Sequence, residues 1–150
     1  MREIALYVHV PFCIHKCHYC DFVSYPNCQF DLMADYFQNL THELQIRSKN
    51  DNLHDIVLKS IYFGGGTPSL ITPEILKDFL LHLGQNFRFS EFIEITIEAN
   101  PGTLSPEKIR EFAHLGINRL SLGIQSFQNR FLSFLGRTYQ EKDVHNLLKI

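Results

Sequence analysis

Three cysteines within eight residues, Cys13, Cys17 and Cys20, carry the strongest chemical signal in this chain. They stand in the run Cys13-Ile14-His15-Lys16-Cys17-His18-Tyr19-Cys20, directly after an apolar strand pattern over residues 4–10. Thiolates this close together can reach one soft metal centre. Three of them leave a fourth coordination position open, and an open position usually serves chemistry rather than scaffolding. Three readings of the triplet follow. It holds a four-iron cluster and leaves one iron for a small ligand; it holds zinc, with His9, His15, His18 or Cys28 as fourth ligand; or its thiols carry no metal.

Further groups of the right type follow at intervals. Gly64-Gly65-Gly66-Thr67-Pro68-Ser69 has neither the Gly-Lys-Ser/Thr ending of a phosphate-binding loop nor the GxGxxG dinucleotide spacing. Its glycines let backbone approach a ligand closely, and their amides can bind a carboxylate or carbonyl. A tight strand-to-helix reversal explains them equally simply. Glu98 closes a strand pattern, where a carboxylate can accept from ribose hydroxyls or bind an amine; a surface acid is the plainer alternative. Gln125 and Arg137 offer similar polar reach, and Arg137 can pair with a ligand carboxylate. His9 and His42 read as structural or solvent-facing, and most of the 13 Phe and 6 Tyr as core.

These groups need elements to position them. Residues 4–10, 57–63, 92–98 and 118–122 read as strands. Between them the apolar period becomes helical, beginning with residues 31–47, where Leu32, Tyr36, Phe37, Leu40, Leu44 and Ile46 recur. Asp31 is a possible cap, and residues 49–52 read as a turn. Thr72-Pro73 and Ser105-Pro106 each pair a capping hydroxyl with proline at the first helical position. The helices they open are expected to fade near Gly84 and Gly116. Helical character returns near Phe127 and again from Gln140 to Ile150. Alternation of this kind is the signature of parallel β/α units, so the fold class is α/β. In such folds the loops at the carboxyl ends of the strands form the active face. The cysteine loop, the glycine run, Glu98 and Gln125 are expected to meet there.

With 150 residues the chain is long enough for one cored domain. Its net charge is −2, from 14 basic and 16 acidic residues, with no polybasic stretch; nucleic acid is a poor default partner. No apolar run reaches the length of a membrane span, and the first residues lack a secretory signal. Three clustered cysteines plus Cys28 suit reduced thiols in a cytoplasmic setting better than a disulfide framework. Four β/α units do not close an eight-stranded barrel, and the pattern runs apolar to Ile150. The chain is expected to be part of something longer.

The motifs together resemble a known family. Tyr7-Val8-His9-Val10-Pro11-Phe12-Cys13, Lys16-Cys17-His18-Tyr19-Cys20-Asp21-Phe22, Phe63 to Ser69, Glu98-Ala99-Asn100-Pro101, Arg119 to Phe127 and Leu135-Gly136-Arg137 resemble radical S-adenosylmethionine (SAM) proteins. Within them, the match is to oxygen-independent coproporphyrinogen III oxidases and their relatives. The resemblance implies a partial TIM barrel of about six β/α units, of which residues 1–150 hold the first four, followed by a C-terminal region. It implies that Cys13, Cys17 and Cys20 ligate a [4Fe-4S] cluster and that SAM chelates the unique iron. Tyr19 would lie beside the adenine and Tyr7 would line the same pocket. Gly65, Gly66 and Thr67 would receive the methionine end, and Glu98, Gln125 and Arg137 match further cofactor-contacting positions. The implied chemistry is reductive cleavage of a SAM carbon–sulfur bond to a 5'-deoxyadenosyl radical. In the oxidases of porphyrin biosynthesis this radical starts the loss of carbon dioxide from propionates.

One departure separates two branches. Oxidases of the family resemble C-x3-C-x2-C-x-C, whereas this chain has Phe22 at the last position. Cys28 comes too late to replace it. The Cys-Asp-Phe ending is similar to the heme-chaperone branch, whose members keep the cluster and SAM site, bind heme and pass it to acceptor proteins. The resemblance therefore implies heme, heme-acceptor proteins and a flavodoxin or ferredoxin electron donor as partners. Features that hold heme are expected beyond residue 150. The oxidase remains the alternative, with a zinc-stabilised binding module or an inactive, poorly folding fragment as further ones.

Overall fold

The computed structural model describes all residues except Met1, Cys28, Asp51, Asn52 and Ile150; the side chains of Asn50 and His54 are also outside the description. The possible zinc ligand Cys28, half of the turn at 49–52 and the last residue of the final helical pattern thus lie outside the described residues. In chain order the elements are β1 (Arg2–Val10), β2 (Phe12–Cys13), β3 (Tyr25–Pro26), α1 (Phe30–Asn50), β4 (Ile56–Gly65), α2 (Pro73–Asn86), β5 (Arg88–Ala99), α3 (Pro106–His114), β6 (Arg119–Leu122), α4 (Asn129–Phe134) and α5 (Glu141–Leu147).

The main sheet has the order β1-β4-β5-β6, with every pair parallel. This is the α/β arrangement of a partial TIM barrel. Alternation gives each strand one apolar and one polar face. Val8 and Val10 on β1, Ile61 and Phe63 on β4, and Ile95 and Ile97 on β5 are buried against the helices. In β4 the apolar side chains change parity, from Ile56 and Leu58 to Ile61 and Phe63. A register shift between Leu58 and Ser60 makes Lys59 the extra residue and keeps all four on one face. Phe63 and Phe37 both pack edge-on to Phe79 of α2, with ring centroids 6.2 and 5.3 Å apart. Burying a side chain such as Phe63 contributes about 1.5–3 kcal/mol.

The opposite face is polar. Tyr7 pairs in register with Tyr62, Tyr62 with Thr96, and Thr96 with Arg119, giving one row across all four strands. The helix starts follow the sequence. Thr72 Oγ1 accepts from the Ile75 amide and Ser105 Oγ from the Lys108 amide, each with proline next in the chain. Gln140 and Asp143 form a reciprocal cap on α5.

Several boundaries differ from expectation. The helix over residues 31–47 extends to Asn50, placing Asp31 inside its first turn. α2 passes through Gly84 to Asn86, because Phe79, Leu80 and Leu83 keep the last turns packed. β5 begins at Arg88, where an exposed stretch gave no apolar signal. The short parallel pair β2–β3 has too few residues for any periodicity. Among the described residues, no helix is long and apolar enough to cross a membrane.

Candidate functional site

The cysteine loop is fixed at several points. Cys13 is buried at the end of β2, and β2 is paired with β3 across the loop. The Tyr25 amide donates to Pro11 O at 2.6 Å, closing the loop's neck. The Cys20 amide donates to Cys17 O at 3.1 Å, making one turn of the second and third cysteines. His18 ties that turn to the end of α4: its backbone N–H donates to Leu135 O at 3.2 Å, and its Nδ1 lies 2.9 Å from Phe134 O. A carbonyl can only accept, so Nδ1 carries the proton. The same logic applies to His9. Its Nε2 donates to Val23 O at 3.1 Å, leaving Nδ1 to accept from the Tyr7 hydroxyl at 3.1 Å. His9 is structural, as its sequence context suggested.

Behind this loop lies a cavity of about 330 Å³, lined by the loop itself and by residues at and just beyond the carboxyl ends of β4, β5 and β6. That volume falls within the range of small-molecule sites. It brings together Cys13, Cys17, Cys20, Tyr19, Gly65, Gly66, Thr67, Glu98, Gln125 and Arg137. Tyr7 is not among its lining residues. It stands on the polar sheet face, stacked on Tyr62 with centroids 6.1 Å apart, and burial pushes its phenol pKa up, aided by the Glu98 carboxylate. Gln125 takes a positive φ of 65°, a conformation disfavoured for a residue with a Cβ. Among the described residues, no three His, Cys, Asp or Glu side chains converge closely enough to hold a single metal ion. Cys13, Cys17 and Cys20 all border the cavity.

The glycine run is shaped by its own neighbours. A Cβ on Gly64 would lie 2.8 Å from the Tyr62 ring, and one on Gly65 2.5 Å from His9. On Gly66 it would lie 2.6 Å from Phe12 O and 3.0 Å from Cys13 Sγ. The amides expected to face a ligand are turned inward: Gly66 N–H donates to Val10 O at 2.8 Å and Thr67 N–H to Phe12 O at 2.7 Å. Gly65 N–H donates to Glu98 Oε2 at 3.1 Å, while the Tyr62 hydroxyl donates to Oε1 at 2.7 Å. Glu98 is therefore a half-buried, oriented acceptor rather than a free surface acid.

Arg137 crosses the cavity between two aromatic rings, 5.6 Å from the Tyr19 centroid and 5.5 Å from that of Tyr139. Its Nη1 donates to Asn100 Oδ1 at 3.1 Å and its Nη2 to Gly123 O at 3.3 Å. Its Nε is buried without a partner, as is Ser24 Oγ, and both residues line the cavity. An unpaired buried donor costs about 1–3 kcal/mol. Tyr139 places its hydroxyl 2.6 Å from Gly123 O and 2.7 Å from Ile124 O, one proton shared by two carbonyls. Burial pushes its phenol up to about 12, reinforced by Tyr19 and Cys17 and opposed by the Arg137 guanidinium.

A family model described as the radical SAM superfamily matches residues 7–150. The chain belongs to the radical SAM superfamily. Within it, the chain is of the HemN/HemW-like kind. A heme chaperone HemW from Haemophilus influenzae is 39% identical over 155 residues, covering 100% of this chain and 40% of that protein. The heme chaperone HemW of Escherichia coli is 34% identical over 152 residues, covering 100% and 39%. A solved structure of Escherichia coli coproporphyrinogen III oxidase (HemN), a radical SAM enzyme, aligns with a TM-score of 0.87 and 28% identity, covering 99% of this chain and 34% of that one. The chain thus spans about two fifths of the length of these curated relatives.

As a radical SAM chain, its donor set fits a thiolate-bound cluster with an anionic ligand beside it: three cysteines and the Arg137 guanidinium border the same cavity. Sequence reasoning quoted Asn100 in a motif without giving it a role, and passed over Ser24 and Tyr139. The position of Asn100, directly after a strand's carboxyl end, was a usable signal. Ser24 and Tyr139 had none, since what each meets depends on loops far away in sequence.

Proposed function

We propose that this chain forms the cluster- and SAM-binding part of a heme-chaperone-like radical SAM protein. Cys13, Cys17 and Cys20 would hold a [4Fe-4S] cluster. Gly65, Gly66, Thr67, Glu98, Gln125, Arg137 and Tyr19 would border SAM, with Tyr7 next to them on the sheet. The observation that carries this reading is the gathering of all three cysteines with Glu98, Gln125 and Arg137 around one cavity. Three cysteines without a paired CxxC…CxxC partner leave a fourth position open, which suits a cluster that binds a small ligand better than a closed four-donor zinc site. Phe22 on the cavity wall, where oxidases of the resemblance carry a further cysteine, and the two heme-chaperone relatives favour the chaperone branch.

When bound, the cluster and SAM supply one-electron reductive cleavage, the hard chemistry that a cofactor brings. The protein's own part is positional. Glu98, held by Tyr62 and the Gly65 amide, presents a fixed acceptor. Arg137, clamped between Tyr19 and Tyr139, places a positive charge beside the cavity, where a carboxylate would be attracted. The chain works in a reducing, cytoplasmic setting, with a flavodoxin or ferredoxin as electron donor and heme-acceptor proteins as recipients. The likeness to HemN keeps propionate decarboxylation as the second reading.

Anaerobic reconstitution followed by iron and sulfide analysis and a heme titration tests the proposal. About four irons and four sulfides per chain with saturable heme binding are expected. Stoichiometric zinc without sulfide refutes it, and a cluster with no heme binding fits either the oxidase or heme-holding features that lie beyond residue 150. Cys17→Ala should abolish cluster assembly; a variant that retains full iron and sulfide would overturn the ligand assignment.

A further inference from the structure

A single polar chain runs across the cavity floor and ends on a cysteine sulfur. Thr67 is buried, and its Oγ1 lies 3.7 Å from Cys13 Sγ. Asn100 Nδ2 donates to the same Oγ1 at 3.1 Å. Asn100 Oδ1 in turn accepts from Arg137 Nη1 at 3.1 Å.

The direction of every proton in this chain is fixed from one end. A guanidinium only donates, so the oxygen of the Asn100 amide must face Arg137. Its NH2 must then face Thr67. An amide NH2 also only donates, so Thr67 Oγ1 accepts from Asn100 and aims its own proton at Cys13 Sγ. The geometry leaves little freedom for the chain to drift. Asn100 O accepts from the Thr103 hydroxyl at 2.8 Å, and a Cβ on Gly123 would stand 2.8 Å from Asn100 Oδ1. On the other side, Gly66 lets its backbone sit against Cys13 Sγ.

We propose that Asn100 is a positioning residue that holds the Thr67 hydroxyl as a hydrogen-bond donor to Cys13 Sγ, and so raises the reduction potential of the cluster bound there. The inference rests on the cluster reading above. Hydrogen bonds to cluster sulfurs are among the levers that set potential. A donor at a ligating sulfur stabilises the more negative, reduced state more than the oxidised one. Without Asn100 the hydroxyl is free to turn away, and the effect on Cys13 is diluted.

The test is a redox titration, followed by electron paramagnetic resonance, of the intact protein reconstituted anaerobically. Thr67→Val keeps the shape and removes the donor. It is expected to lower the reduced-to-oxidised ratio at fixed potential about tenfold, which is about 59 mV for one electron. Thr67→Ser should retain the wild-type value. Asn100→Leu should move the ratio in the same direction, and Thr67→Val/Asn100→Leu should show no more than the Thr67→Val effect, because both act through one hydrogen bond. An unchanged potential in Asn100→Leu, or a shift that adds in full to that of Thr67→Val, overturns the proposal. If Asn100→Leu loads no cluster, Asn100→Ala replaces it. Loss of loading in both, while Thr67→Val still loads, assigns Asn100 a purely structural role and also overturns it. Iron and sulfide content of the wild type separates the two levels: a wild type that takes up no cluster refutes the parent reading and this one with it, whereas a loaded wild type with unresponsive variants refutes this one alone.

Discussion

Two glycine-to-alanine substitutions should have opposite signs, and the structure supplies both magnitudes. A Cβ on Gly66 would lie 2.6 Å from Phe12 O and 3.0 Å from Cys13 Sγ. Carbon–oxygen contacts between backbones settle near roughly 3.3 Å, so the loop must move away from β2 by roughly 0.7 Å. Two short bonds span that gap, Gly66 N–H to Val10 O at 2.8 Å and Thr67 N–H to Phe12 O at 2.7 Å. Weakening them costs about 1–3 kcal/mol, and overpacking adds about 1–3 kcal/mol where the neighbour is backbone and cannot rotate aside. Gly66→Ala is therefore expected to destabilise by about 2–6 kcal/mol and to lower cluster uptake through displacement of Cys13. Gly84 is the control. It sits inside α2 with nothing within 4 Å of the place a methyl group would occupy, so alanine there should stabilise by about 0.5–1 kcal/mol. Urea unfolding of the two variants beside the wild type reads both effects. Gly66→Ala within about 0.5 kcal/mol of wild type, a surface-like value, would refute the steric argument.

Other consequences are equally direct. The raised Tyr139 pKa favours the folded state in full below the unfolded phenol value of 10, and this contribution is lost as pH rises toward about 12. It amounts to about 2–3 kcal/mol. Urea unfolding of wild type and Tyr139→Phe should show their stability difference shrinking above pH 10; a constant difference would refute it. The Asn118 side chain acts as a short strand partner, with Oδ1 accepting from Ile95 N–H and Nδ2 donating to Ile93 O, both at 2.8 Å. Asn118→Ala should cost about 1–3 kcal/mol by leaving the Ile95 amide unpaired, with early hydrogen exchange at Ile95 as the local readout.

The elements that were legible in the sequence are those whose local chemistry agrees with the fold. Thr72-Pro73 and Ser105-Pro106 name their helix starts to the residue, since capping is decided within a few neighbouring positions. The gathering of four loops at one face followed from β/α alternation, because parallel strands put every carboxyl end on the same side. Length was harder to read. α2 runs past Gly84 because tertiary packing of Leu80 and Leu83 outweighs the propensity cost of one glycine. Hidden altogether were contacts between loops. Asn100 meets Thr67 and Arg137 at separations of 33 and 37 residues, and nothing in local pattern reports such a pairing.

The glycine run shows why sequence left two explanations standing. A tight reversal and a close approach to a ligand both call for missing side chains, so composition cannot separate them. In the structure the two are not rivals. The space at Gly64 is taken by Tyr62 and Tyr7, and that at Gly65 by His9, the residue that anchors the cysteine loop through Val23. The space at Gly66 belongs to Phe12 and Cys13. Gly65 and Gly66 let the end of β4 and the residue after it pass beneath His9 and Cys13, and the amides of Gly65, Gly66 and Thr67 serve Glu98, Val10 and Phe12. The run therefore acts on the site by fixing the height of Cys13 over the cavity floor, which makes Gly66 a determinant of where that thiol stands.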